Sequence, residues 1–272
     1  MVAIPTQLVS NSEPGKQSAV AAPLADPADH ELAARAATEA GRLLLEVRAT
    51  LEARGEWPEL VGDEGDRRAH NLLVDLIGRE RPDDAVLSEE GRDDLVRLQS
   101  SRVWIIDPLD GTREFSEPGR SDWAVHVALA IEGEAVAGAV ALPARGITLA
   151  SHPTPPPAPL WEGPPRLVVS RSRPPYQANR IRAALGGELL PLGSAGAKAM
   201  AVVLGEADVY AHAGGQYEWD NCAPAAVAAA AGLHVSRLDG SPLLYNRRSP
   251  WLPDLLICRA DLADAVLDAL RD

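Results

Sequence analysis

Apolar positions first settle into a helical rhythm after Asp26-Pro27, an N-cap residue followed by proline at the first helical position. Leu32, Ala36, Ala40, Leu43, Val47 and Leu51 recur at spacings of three and four and form one buried stripe. The pattern then breaks from Gly55 to Gly65, where glycines, Pro58 and four acids predict a loop. A second helix is predicted from about Asp66 to Arg79, with Leu72, Leu73, Leu76 and Ile77 on its inner side. Short apolar runs at Ala85-Leu87 and Val103-Ile106 read as strands that end in acidic clusters, and Ala124-Ile131, Ala135-Leu142 and Ile147-Ala150 continue the strand pattern.

From His152 to Pro165 seven prolines exclude regular structure and predict a stiff connector. Beyond it strands at Leu167-Ser170, Ala207-Ala211 and Leu255-Cys258 alternate with helices at Tyr176-Leu185, Ala195-Leu204, Ala223-Ala231 and Asp261-Leu270. The chain thus divides into a tail over 1–27, expected to be disordered, an α+β domain over 28–160 and an α/β domain over 161–272. A site at the seam of two such halves is the common arrangement.

Composition narrows the function. The 272 residues carry 39 acidic against 26 basic side chains, a net charge of −13, which opposes binding to nucleic acid. The first 29 residues hold no apolar stretch of signal-peptide length, and the Ala-rich run Cys222–Leu233 is too short to span a bilayer. Two cysteines, Cys222 and Cys258, exclude a disulfide framework and fit a reducing cytoplasm. Both sit in apolar segments and read as packing residues. The six histidines are scattered and read as structural, while Trp104, Trp123, Trp161 and Trp251 read as core or interface residues.

The chemistry concentrates in Val103 to Phe115, VWIIDPLDGTREF. An apolar strand is expected to end at Asp107, where Pro108 stops its ladder. Asp107, Asp110 and the Leu109 carbonyl then converge on one turn, three hard oxygen donors that suit Mg²⁺ or Mn²⁺ better than zinc. Gly111 and Thr112 follow and offer unobstructed N–H groups to a phosphate. An EF-hand is excluded, because Leu109, Thr112 and Pro118 fall where that loop needs an acid, a glycine and an acid. D-P-x-D-G-T is expected by chance on the order of 10⁻⁴ times in such a chain. Glu89-Glu90 end a second strand, and Trp219-Asp220 opens the Ala-rich helix with Pro224 about its first turn. Three acidic element ends together with this turn point to a multi-metal phosphatase.

Asp107 to Thr112, and Trp219-Asp220 with the small residues after it, match the two signatures of the inositol monophosphatase superfamily, the lithium-sensitive, magnesium-dependent phosphatases. The resemblance spans about Asp26 to Asp272 and implies a layered α-β-α-β-α sandwich with two or three metal ions between its halves. It carries over Glu89, Asp107, Asp110, Asp220 and the Leu109 carbonyl as metal ligands, and Thr112 with Asp66 as the pair that orients and activates water. Read without the resemblance, Asp66 is an acid at the start of its helix.

Within the superfamily, SRSR at Ser170 to Arg173 and GSAGAK at Gly193 to Lys198 resemble the CysQ-type 3′-phosphoadenosine 5′-phosphate phosphatases, in particular their actinobacterial branch. The resemblance implies substrate contacts from Gly111, Thr112, Ser170, Arg171, Gly193, Ser194 and Lys198, with Lys198 reaching a second phosphate. It also implies a phosphorylated nucleotide as the small-molecule partner, with its sulfonated parent as a further substrate, and leaves a homodimer open. Ala213 stands where inositol monophosphatases keep a glutamate, which weakens an inositol or fructose bisphosphate substrate. A non-catalytic metal or nucleotide sensor is the distant alternative, and the retention of Thr112 and Asp66 beside the ligands speaks against it. One departure bears on the metals: Val61-Gly62-Asp63 replaces the usual Val-Thr, and no lysine lies between Gly55 and Asp66. A third ion would then either fall to Asp63 or Glu64 or bind weakly.

Overall fold

The computed structural model describes residues 25–93 and 95–271. The tail expected over 1–27 therefore lies, up to residue 24, outside the described residues.

Helix α1 (Pro27–Ala53) starts as the sequence implies: Asp26 accepts from the Ala28 amide at 2.8 Å, and Asp29 reciprocates from inside the first turn. Leu44 takes the core place in its stripe, while Leu43 is only half-buried. Helix α2 (Pro58–Glu80) begins well before the predicted Asp66, so the expected loop shrinks to residues 54–57. Trp57 is extended and Pro58 supplies a preset φ for the first turn, which outweighs the two glycines that follow. Those glycines let α2 approach its neighbour: a Cβ on Gly62 would stand 2.8 Å from Thr112 Cγ2, and one on Gly65 2.8 Å from Phe115 Cε1.

Strands β1 (Ala85–Ser88), β2 (Arg102–Asp110), β3 (Ala124–Ile131), β4 (Glu134–Leu142) and β5 (Ile147–Ala150) form a sheet in that order, β1 parallel to β2 and the others antiparallel. Helix α3 (Thr112–Ser116) follows β2. Residues 151–165 cross to a second sheet without helix or strand. Its strands are β6 (Arg166–Ser170), β7 (Glu188–Leu192), β8 (Val209–Tyr217), β9 (His234–Ser236) and β10 (Trp251–Cys258), in the order β7-β6-β8-β10-β9. Helices α4 (Tyr176–Leu185), α5 (Ala195–Val203), α6 (Glu218–Ala230) and α7 (Ala263–Leu270) complete the chain.

Three apolar cores stack these elements into an α-β-α-β-α sandwich, as the sequence resemblance implied. Val125, Val127 and Leu129 of β3 meet α1 and α2 in one core, while Ala124, Ala128 and Ala130 on the opposite face meet α5 and α6 in the central core. Burial on both faces explains why β3 reads as a continuous apolar run. The outer face of the second sheet packs on α4 and α7 through Leu167, Ile181, Leu256 and Val266.

Trp104 and Trp123 are core residues, but Trp161 and Trp251 are 43% and 52% exposed. Trp161 lies within the proline-rich connector, where the Arg166 guanidinium stacks 4.6 Å from its ring. No described helix is long and apolar enough to cross a membrane.

Candidate active site

The DPLDGT segment is a bulge inside a strand rather than its end. Asp107 pairs with His126 and Asp110 with Ala124, and the register shifts between them, so β2 resumes after Pro108 and Leu109. Proline has no ladder N–H to lose there. The Leu109 amide donates to Asp107 Oδ1 at 3.0 Å, and the Leu109 side chain is buried in the core under α2. Gly111 has φ of 89°, a left-handed conformation open to glycine, and this turns the chain into α3.

Three elements bring carboxylates to this bulge. Asp107, Asp110 and Asp220 each offer an oxygen within 4.8 Å of the others. Asp220 lies in the first turn of α6, where its Oδ2 accepts from the Tyr217 amide at 2.6 Å. Pro224 sits in the interior of α6, not in its first turn, and removes the N–H that would otherwise reach the Asp220 carbonyl. Glu89 directly follows β1 and stands exposed at the outer edge. Asp66 approaches from the third turn of α2: Thr112 Oγ1 lies 3.2 Å from Asp66 Oδ2 and 3.2 Å from the Leu109 carbonyl. The second Asp66 oxygen is buried without a partner among the described residues.

From the other half of the molecule, the loop before α5 closes on Asp110. The Ala195 amide donates to its Oδ1 at 3.0 Å, the Gly196 amide to its Oδ2 at 2.6 Å, and the Ser194 hydroxyl also donates to Oδ2. Ser194 holds φ of 50° to do so. Lys198 is buried and donates to the Gly193 carbonyl at 3.3 Å and to that of Ser194, with Tyr210 beneath its ammonium. Gly193 has no room for a Cβ, which would collide with the Glu114 carboxyl, and its amide donates to Asp122 at 2.7 Å.

Not all expected residues converge. Arg171 is engaged by Glu114 at 2.8 Å and Glu117 at 3.1 Å, and Ser170 accepts from the Arg173 amide at 3.2 Å. Glu64 is held by Arg67 and Arg68 at 2.7 and 2.6 Å, so of the two acids expected at a third ion Asp63 is the one without an ion pair among the described residues. Two residues escaped the sequence reading. His126, for which the sequence predicts a structural role, is wholly buried with Nε2 3.2 Å from Asp110 Oδ2, and Asp122 anchors the Gly193 loop. Neither carries a motif; only the pairing of β3 with β2 brings His126 to the acids.

The electrostatics follow from burial and like charge. Burial, reinforced by Glu90 and Glu89, raises the Asp66 carboxyl to about 7. Burial also raises Asp107 far above the usual carboxylate range, with Glu89, Asp110 and Asp220 adding to the effect. Asp220 is pushed up to about 6 by burial and then by Asp110. Burial of its carboxyl end, reinforced by Asp220 and then Asp110, raises Glu89 to about 7 although the residue as a whole is exposed. Asp110 alone goes the other way: burial opposes its charge, but His126, Ser194 and Lys198 outweigh it and hold the carboxyl low. Like charges so placed favour the protonated forms unless cations join them. Carboxylate oxygens around a carbonyl are the donor set of a hard divalent cation, so the residues fit such a group.

A five-layer sandwich with an acid-lined bulge at its seam defines a class of metal-dependent hydrolases, and comparison with known proteins identifies the family. Residues 27–155 and 165–269 match the inositol monophosphatase family. The chain is 53% identical over 260 residues to a 3′-phosphoadenosine 5′-phosphate phosphatase of Mycobacterium leprae, covering 91% of this chain and 95% of that protein. It is 31% identical over 202 residues to the 3′(2′),5′-bisphosphate nucleotidase CysQ of Escherichia coli, covering 69% and 80% respectively. The crystal structure of CysQ from Bacteroides thetaiotaomicron superposes with a TM-score of 0.70 at 26% identity, over 86% of this chain and 97% of that one. This chain belongs to the inositol monophosphatase family, whose members are metal-dependent phosphatases.

Proposed function

We propose that this protein is a Mg²⁺-dependent 3′(2′),5′-bisphosphate nucleotidase that converts 3′-phosphoadenosine 5′-phosphate to AMP and phosphate, and also accepts the 5′-sulfonated parent. The observation that carries the reaction class is the convergence of Asp107, Asp110 and Asp220 beside the Thr112–Asp66 pair. The substrate is supported by the likeness to the mycobacterial phosphatase along nearly the whole chain.

In this reading Glu89, Asp107, Asp110, Asp220 and the Leu109 carbonyl hold two cations. Asp110 Oδ1 accepts one amide and keeps a lone pair for an ion. Bound cations supply an activated water and neutralise charge that develops on the phosphoryl oxygens. Thr112 orients the attacking water, and its proton passes toward Asp66, whose carboxyl near neutrality suits a general base. The water oxygen bonds to phosphorus, the bond from phosphorus to the 3′-oxygen breaks, and that oxygen takes a proton from solvent while Asp66 returns to solvent the proton it received. Gly111 keeps the turn open to the phosphate. Gly193, Ser194 and Lys198 meet the phosphate that is not cleaved, with Ser170 and Arg171 at its margin. Lys198 spends two of its three N–H donors on the loop and retains one.

Phosphate release from a panel with Mg²⁺ tests the assignment. Fastest turnover is expected on 3′-phosphoadenosine 5′-phosphate. Faster turnover of inositol 1-phosphate or fructose 1,6-bisphosphate would replace the substrate while leaving the reaction class in place.

A further inference from the structure

His126 stands on β3 directly opposite Asp107 of β2, on the face turned toward α5 and α6. Its side chain is fully buried. Nδ1 lies 3.0 Å from the carbonyl of Trp219, the residue immediately before Asp220, and 3.9 Å from Asp107 Oδ2. A carbonyl only accepts, so Nδ1 carries the proton of that bond. Nε2 lies 3.2 Å from Asp110 Oδ2. One rigid ring thus touches the segments that carry all three clustered aspartates.

The first turn of α5 is shaped around the same ring. A Cβ on Gly196 would collide with His126 Nε2 and stand 3.0 Å from Ala124 Cβ, while the Gly196 amide donates to Asp110 at 2.6 Å. Glycine here is a cut-out for the imidazole, and Asp110 Oδ2 lies between the Gly196 amide, which donates to it, and His126 Nε2, which forms an ion pair with it when the ring carries both protons. Three carboxylates within 4.8 Å repel one another and would spread if nothing fixed their spacing.

We propose that His126, seated against Gly196, is a positioning residue that sets the separation of Asp107, Asp110 and Asp220 for divalent-cation binding. It acts through the aspartates and does not itself touch substrate. The inference rests on the cation-dependent reading above, but its readout is cation affinity, so it is decided separately from the choice of substrate. A protein that binds Mn²⁺ in a His126-dependent way yet spares the nucleotide would remove the substrate reading and support this one.

The test is the Mn²⁺ dissociation constant of the EDTA-treated full chain, measured by calorimetry. His126→Ala is expected to raise it roughly 10- to 100-fold, the usual effect of losing a group that orients metal ligands. His126→Asn, whose amide can donate to the Trp219 carbonyl from the place of Nδ1, is expected to recover part of the loss. Gly196→Ala should weaken Mn²⁺ binding in the natural chain but much less in the His126→Ala background, because the ring it displaces is gone. In turnover assays the His126→Ala defect should shrink at saturating Mg²⁺. A folded His126→Ala protein with natural Mn²⁺ affinity overturns the proposal. Should that variant not fold, unchanged Mn²⁺ affinity in both His126→Asn and Gly196→Ala overturns it instead.

Discussion

Asp110 shows how much one carboxylate does in this molecule. It closes the β2 bulge, caps the start of α5 and joins the acid cluster, so the two halves meet at its two oxygens. Asp107, which accepts the Leu109 amide but nothing from the α5 loop, bears the repulsion: its ionised form is opposed by burial and by Glu89, Asp110, Asp220 and Asp66. Replacing it with asparagine removes that penalty when no cation is present. The EDTA-treated Asp107→Asn protein is therefore expected to melt on the order of 2–4 °C higher for each kcal/mol relieved, measured by thermal unfolding. An unchanged or lower midpoint would mean that the acid is not strained by its neighbours. Lys198 belongs to the same scale. If its remaining donor meets the uncleaved phosphate, Lys198→Ala should lower kcat/KM for the bisphosphorylated nucleotide by roughly 10- to 150-fold, the worth of a charge-assisted hydrogen bond of about 1.5–3 kcal/mol. A 3′-monophosphate that lacks the second phosphate should lose far less. Equal losses would assign Lys198 to the loop, where its bonds to Gly193 and Ser194 already place part of its role. The acids were legible because motif spacing marks them; His126 was not, since a lone histidine in an apolar strand carries no pattern and becomes informative only through its partner strand.

Elements read well where a single periodicity governs them and poorly where tertiary contact does. The capped start of α1 follows from Asp26-Pro27, and β3 to β5 follow from their apolar runs. The stretch from Gly55 to Gly65 misled because glycine weakens an isolated helix by about 1 kcal/mol, whereas here Gly62 and Gly65 admit α3 and the bulge against α2. That approach is what sets Asp66 beside Thr112. Strands β7 and β9 gave no signal: β7 is half-exposed with Pro191 at the sheet edge, and β9 has three residues. Gly65→Ala tests the packing account. Its methyl would lie 2.8 Å from Phe115 Cε1 and 3.1 Å from Leu109 Cδ2, so α2 must retreat. A stability loss of about 1–3 kcal/mol is expected from denaturant unfolding, the range for an overpacked core. Turnover should fall by more than the unfolded fraction accounts for, because Asp66 retreats with the helix. Full activity at natural stability would show that the approach is not needed.

At the scale of the whole molecule, the layered sandwich followed from the paired signatures rather than from any periodicity, since strand and helix patterns alone do not order layers. The surplus of acids, a net charge of −13, is partly gathered at the seam. This makes metal-free stability depend on pH with a definite sign. Asp66 and Glu89 titrate near 7 and Asp220 near 6 in the folded chain, above the ordinary carboxylate value of about 4. Between about pH 4 and 7 the folded state then binds more protons than the unfolded one, so these groups make stability fall as pH rises. Added Mg²⁺ should consequently raise the melting temperature more at pH 7.5 than at pH 5.5, and an equal rise at both would separate the cluster from the ion. The most direct measurement is phosphate release from 3′-phosphoadenosine 5′-phosphate by the EDTA-stripped protein as Mg²⁺ is added, beside Asp107→Asn. No release before Mg²⁺, saturable recovery with it and background turnover by the variant at every Mg²⁺ concentration are expected. Release that persists in EDTA, or a variant that responds to Mg²⁺ as the natural chain does, would contradict a cation-dependent site built on these acids.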